Sequence, residues 1–140
     1  MKDIAIKENH LYNKTYRNGK RYVGKYVAVY VLKDLAAKRL RRENPMKEPV
    51  NRLGISVSKK IGGAVERNRA KRIIRAAYAE VRNDLRKGNL IVISARDAIN
   101  GQTSTELLRE LRAAFSKLEM LCEPPEKDRK TKENGSEQKV

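Results

Sequence analysis

Between Val65 and Leu85 two kinds of side chain recur at helical spacing, and that double pattern constrains the fold more than any other stretch. Wound at 100° per residue, Ala70, Ile73, Ile74, Ala77, Val81 and Leu85 fall on an apolar arc of roughly 120°, the width of a helix lying on a core. Asn68, Lys71, Arg72, Arg75, Arg82 and Arg86 fall on a second arc, displaced from the first. Ala79 is the one side chain there without polarity, and it is small enough to leave the arc flat. A helix that needed only to be soluble would place Glu four residues from Lys and gain pair stabilisation. This face has no acid between Asn68 and Arg82, so its self-repulsion is unrelieved, which points to a polyanionic partner.

The surrounding stretch, Ser56 to Tyr78, holds seven cations (Lys59, Lys60, Arg67, Arg69, Lys71, Arg72 and Arg75) against one acid, Glu66. Gly62-Gly63 permits backbone angles that other residues resist and allows close approach. A helix that starts directly after such a turn presents free N–H groups and the positive end of its dipole, a natural phosphate site. A plain strand-to-helix turn would use the same glycines. The spacing of a Walker-type nucleotide loop is absent.

Composition narrows the partner. The 140 residues suit one domain with tails, and the formal net charge of +16 selects RNA, DNA or an anionic membrane surface. No apolar run approaches bilayer length and no signal-peptide core follows the N-terminal MKDIAIKENH, so the expected location is cytoplasmic. The single cysteine, Cys122, cannot form an internal disulfide, and one histidine, His10, excludes a zinc module. From Glu123 to Val140 the composition turns polar with five acids and five bases, a disordered tail. Residues 1–122 are therefore expected to form the single domain and to carry the whole charge.

Asn9 to Asn18 reads as a short helix closed by Gly19. Leu11 and Thr15 share one side of it, and Tyr12 and Tyr16, four apart, share another. Those tyrosines either pack on a core or offer the stacking surface that single-stranded nucleic acid requires. Lys25 to Leu32 is a strand, with Val27, Val29 and Val31 on one face and Tyr26, Ala28 and Tyr30 on the other. Leu53 to Ser58 is a second strand, with Leu53, Ile55 and Val57 opposite the small residues Gly54, Ser56 and Ser58. A tyrosine beside small polar positions suits a groove floor better than a sealed core. The basic segment Lys33 to Arg52 could wind a short helix before Pro45, but as a whole it reads as a solvated loop. Leu90 to Ala95 suits a strand buried on both faces. Thr103-x-x-Glu106 is a capping box that opens a last helix, with Leu107, Leu108, Leu111, Ala114, Phe115 and Leu118 as its core face.

Hydrolysis of a phosphodiester by protein groups needs clustered carboxylates on metal or a histidine pair. Glu66, Glu80, Asp84 and Asp97 form no paired motif, and one histidine cannot be both acid and base, so no catalytic residue and no protein-held metal are expected.

The run VSKKIGGAVERNRAKRIIR closely resembles the signature of the bacterial ribonuclease P protein subunit, roughly VSKK-G-AV-RNR-KR-IR, and the likeness extends at lower density from about Leu11 to about Leu121. The resemblance implies an α+β fold, a two-layer sandwich of αβββαβα-like order with a left-handed βαβ crossover. It also implies a protein that binds the catalytic RNA of ribonuclease P and the 5′ leader of precursor tRNA. The endonuclease would then leave a 5′ phosphate through RNA-borne chemistry, with Mg2+ held by the RNA and no membrane or small-molecule substrate. Lys59, Lys60, Arg67, Asn68, Arg69, Lys71, Arg72 and Arg75 are the expected RNA-binding residues. Tyr12, Tyr16, Tyr30, Ser56 and Ser58 are the expected leader groove. In that family the two helix aromatics are usually Phe, so tyrosine is a conservative departure. A ribosomal-type structural protein shares the charge and size but needs no aromatic groove. A membrane-surface protein needs an exposed apolar face that this helix commits to a core.

Overall fold

Alternation along the strands sorts their side chains onto two sides of one sheet, and the helices then cover those sides unequally. The computed structural model describes residues 4–45 and 50–121. They run in the order β1 (Ile4–Ala5), α1 (Asn9–Asn18), β2 (Lys20–Val23), β3 (Val27–Lys33), α2 (Ala37–Glu43), β4 (Arg52–Ser56), α3 (Ala64–Val81), β5 (Asn89–Ala95) and α4 (Ser104–Lys117). Short 3-10 turns lie at Lys59–Ile61, Arg82–Asp84 and Asp97–Ile99. Cys122 and the tail from 123 to 140 fall outside the described residues.

The five strands stand in the order β1-β4-β5-β3-β2. The apolar run at 90–95 takes the centre, as a segment hydrophobic on both sides must. It pairs antiparallel with β3 from Val27↔Ala95 to Lys33↔Asn89 and parallel with β4, to which α3 connects it. Val27, Val29, Val31, Ile91 and Ile93 point to the side covered by α3 and α4, where Ile74, Val81, Leu111 and Phe115 close the main core. Leu90 and Val92 point the other way, to α1. The chain is thus an α+β sandwich with a third, partial layer.

Two outer strands lie beyond what the sequence patterns indicate. β1 pairs only with Arg52 and Leu53 of β4, and β2 forms a hairpin with β3. Glu110 of α4 holds that hairpin: its carboxylate accepts from the amides of Lys25, Tyr26 and Val27 at 2.9, 2.8 and 2.8 Å.

The 33–52 segment corrects its reading as a loop, because Ala37–Glu43 winds the short helix that Pro45 was able to stop. None of its residues is buried, so propensity and anchoring, not a core, hold it. The anchor is Asp34, buried at the helix root. Its carboxylate accepts from the Arg52 fork at 2.7 and 2.8 Å and from the Ala36 amide at 3.0 Å. Burial opposes charge on Asp34, but Arg52 and the Ala36 amide outweigh it and hold the carboxyl below its ordinary range. Beside it, buried Asn51 donates to the Arg86 carbonyl and accepts from the Asn89 amide.

Candidate nucleic-acid interface

The basic helix starts where expected and ends sooner. Gly62 has φ +145°, a conformation closed to other residues, and Gly63 caps α3 without a side-chain bond. Glu66 leans back over both glycines, so this helix start already has an acid beside it, and its positive charge comes from exposed Lys59 and Lys60. The apolar arc is buried as its spacing predicts at Ala70, Ile74, Ala77 and Val81, and Tyr78 joins it against Phe115.

The cationic arc is not uniform. Asn68, Arg72 and Arg75 are exposed. Arg69 is half-buried and gives a guanidinium N–H to the Gln102 carbonyl at 2.9 Å, which ties α3 to the approach of α4. Arg67 lies near the Gly63 carbonyl at 3.4 Å. Arg82 and Arg86 lie beyond the helix, since α3 gives way to a 3-10 turn after Val81. Arg86 there donates to the Glu119 carbonyl at 3.1 Å.

On the opposite side of the sheet the three tyrosines meet. The rings of Tyr12 and Tyr16 stand 6.5 Å apart, and Tyr16 meets Tyr30 edge-on at 4.9 Å. All three are half-buried, seated on Ile6, Leu90 and Val92. Packing and accessibility are therefore combined in the same rings. Gly54 lies directly beneath Tyr12, where a Cβ would come within 2.6 Å of the ring, so the small residue on β4 sets how low the ring can sit. Burial pushes the Tyr12 phenol above its ordinary value, the Tyr16 phenol adds to this, and the Ile55 amide hydrogen-bonding to it opposes. Tyr12 therefore keeps its proton at neutral pH and can donate to a phosphate.

The two halves join around the sheet edge. A hollow of ≈230 Å³ is lined by Ala5, Ile6, Tyr12, Leu53, Ile55, Lys71 and Arg75. Tyr12 reaches it from α1, and Lys71 and Arg75 reach it from α3, because β1 covers only Arg52 and Leu53 of β4. Ser56 ends β4 on the tyrosine side, whereas Ser58 lies past the strand. Ser58 lines another hollow, of ≈550 Å³, with Lys25, Lys60, Arg96 and Asp97. Lys25 and Arg96 are isolated in the sequence, and no periodicity could have joined them to this surface. Among the described residues no three acids, histidines or cysteines group to hold a metal, and no helix is long and apolar enough to cross a membrane.

Known proteins resemble this chain in sequence and in fold. A family model described as Ribonuclease P matches residues 1–119. The ribonuclease P protein component of Clostridium acetobutylicum is 35% identical over 117 residues, covering 84% of this chain and 90% of the relative. That of Macrococcus caseolyticus is 39% identical over 110 residues, covering 79% and 85%. The RNase P protein of Staphylococcus aureus superposes with a TM-score of 0.67 at 26% identity, covering 86% of this chain and 99% of that one. The Thermotoga maritima RNase P protein, at 23% identity and a TM-score of 0.55 over 84% and 94% of the two chains, shares the fold.

Proposed function

Because this chain belongs to the ribonuclease P protein family, and is the protein component that partners ribonuclease P RNA, we propose that it binds precursor tRNA by holding the 5′ leader against Tyr12, Tyr16 and Tyr30. Family membership sets aside the ribosomal-type reading. One observation carries the proposal: Tyr12 shares a hollow with Lys71 and Arg75. A nucleotide there could stack on a ring while its phosphate meets two cations, the combination by which single strands are bound without sequence preference. Lys59, Lys60, Asn68 and Arg72 remain for the backbone of the RNA subunit. Arg67 and Arg69 divide their fork between that role and bracing the helix start.

The chain does no bond-breaking of its own in this reading. Among the described residues no carboxylates group to hold a metal, and Mg2+ is proposed to be held by the RNA subunit, with the chemistry. The protein would lower the magnesium requirement by neutralising phosphates between RNA strands that must approach.

The test is binding by the assembled particle. Tyr12→Ala is expected to weaken precursor tRNA by about 1–3 kcal/mol for each base that loses its ring, with mature tRNA unaffected. Tyr12→Phe should keep most of the affinity. Equal losses for both tRNAs, together with a lowered melting temperature, would make the ring a packing residue only.

A further inference from the structure

Tyr12 lays its hydroxyl end on the backbone of β4. A Cβ added at Gly54 would stand 2.6 Å from the Cε1, Cζ and Oη of the ring alike, so the tip of the side chain rests on the strand. The edge of the sheet is incomplete there. The Ile6 amide donates to the Leu53 carbonyl at 2.9 Å, so Leu53 turns its backbone groups towards β1, and by strand alternation Ile55 does the same. The pairing of β1 stops at Leu53, with Ile4↔Arg52 and Ala5↔Leu53. The Ile55 amide is met by the Tyr12 phenol oxygen, which accepts from it. A phenol that accepts one bond still has its own proton to give. Burial holds that proton on the oxygen at neutral pH.

The hollow of ≈230 Å³ beside this oxygen is lined by Tyr12, Lys71 and Arg75, and by neither Tyr16 nor Tyr30. A phosphate entering it goes to the cations, because a charge-assisted bond is about twice as strong as a neutral one. The neutral phenol is left for a neutral oxygen of the same nucleotide. In RNA that oxygen is the ribose 2′-hydroxyl, on the carbon next to the one that carries the 3′ phosphate. A phosphate held by Lys71 or Arg75 therefore brings a 2′-oxygen to the same hollow.

We propose that the Tyr12 hydroxyl is a specificity-determining group that donates to a ribose 2′-oxygen of the 5′ leader and so distinguishes an RNA leader from a deoxyribose one. The proposal rests on the reading of the three tyrosines as the leader groove, and it divides two tasks within one side chain. The ring face stacks on any base, and the oxygen reads the sugar. Tyr16 and Tyr30, which meet edge-on at 4.9 Å and do not line the hollow, have the first task only.

The experiment measures the affinity of the assembled particle for two precursor tRNAs, one with a ribose leader and one with 2′-deoxyribose at the leader positions alone. The wild-type particle should prefer the ribose leader. Tyr12→Phe should cut that preference by about 2- to 10-fold, the worth of one hydrogen bond, through weaker binding of the ribose leader with the deoxy leader unchanged. Tyr16→Phe and Tyr30→Phe should keep the wild-type preference. Each preference compares two ligands on one protein, so any loss of folded fraction cancels. An unchanged preference in Tyr12→Phe overturns the proposal. So does an equal loss for both leaders, which would assign the hydroxyl to a phosphate, and so does a comparable fall in Tyr16→Phe or Tyr30→Phe. Tyr12→Ala tests the underlying reading separately: it should weaken both leaders, and wild-type affinity for both would mean that the leader groove is wrong and the reading of the sugar falls with it.

Discussion

The same central strands, β3 and β5, present valines and isoleucines to α3 and α4 on one side and leucine, valine and tyrosine to α1 on the other. The first side is sealed: Val27, Val29, Ile91, Ile93, Phe115 and Leu111 have no accessible surface. The second is half-closed, because one ten-residue helix covers what two longer helices cover opposite. Its three tyrosines are held on a small apolar seat and left partly open. A sealed core specifies the fold, since its many small contacts add up and no ligand can reach it. A ring that is to stack on a base needs the other arrangement, with enough support to be rigid and enough exposure to be used. The comparison teaches that packing does not preclude the binding proposed for Tyr12, Tyr16 and Tyr30, because their rings are supported and partly exposed at once.

The comparison breaks most visibly at Phe115, which is fully buried against Tyr78. Phe115→Ala is expected to cost about 3–5 kcal/mol of stability. Thermal unfolding should show a large fall in melting temperature. Any weakening of RNA binding should then be equal for precursor and mature tRNA, because only the folded fraction changes. A selective loss of precursor affinity from this variant would mean that the sealed side also reads substrate.

A smaller perturbation sharpens the same contrast on the half-closed side. Gly54→Ala places a methyl where the Tyr12 ring now lies, at 2.6 Å in the present geometry, so the ring must move. Overpacking of this kind costs about 1–3 kcal/mol, towards the low end here because a half-exposed ring can swing outward. The expected result is a modest fall in melting temperature with reduced preference for precursor over mature tRNA. An unchanged preference would show that the position of Tyr12 does not matter to the leader.

Much of this is legible in the sequence, and the reason differs by element. α3 and α4 declare themselves by 3.6-residue periodicity and a capping box: Thr103 Oγ1 does accept from the Glu106 amide. β5 is legible because a strand apolar on both sides can only be central. Local pattern could not place β1 or β2, which are short and edge-like, with exposed residues at Lys20, Arg21 and Val23. It also overran α3 by several residues, since Leu85 keeps helical phase and is buried although it belongs to the turn that follows. The sequence of 33–52 allows the α2 helix before Pro45 but reads as a whole as a solvated loop; the helix's support, Asp34 to Arg52, spans 18 residues and has no periodic trace. The proposed binding residues are legible by type, as tyrosines and cations. The hollow that joins Tyr12 to Arg75 is not, because it depends on how far β1 covers the edge of β4.

The smallest expected effect concerns the acids, and it decides whether the open side is a binding surface only. Glu66 and Glu80 are exposed on α3, Asp84 faces Arg112 at 3.3 Å, and Asp97 lines the hollow of Lys25, Lys60 and Arg96. Among the described residues none of the four belongs to a group of three or more acids, histidines or cysteines that could hold a metal ion. A carboxylate outside such a group cannot hold a divalent ion in a multidentate cage. Ala substitution at each, one at a time, should leave the maximal cleavage rate of the reconstituted particle within a few-fold, a barrier change of about 1 kcal/mol or less. Asp97 is the most informative of the four, because it alone stands in a cationic hollow that RNA could enter. Its removal should, if anything, tighten RNA by raising the positive charge of that hollow. A drop on the order of a thousandfold at any one, with assembly intact, would place a catalytic carboxylate on this chain and end the division between a sealed side that folds and an open side that only binds.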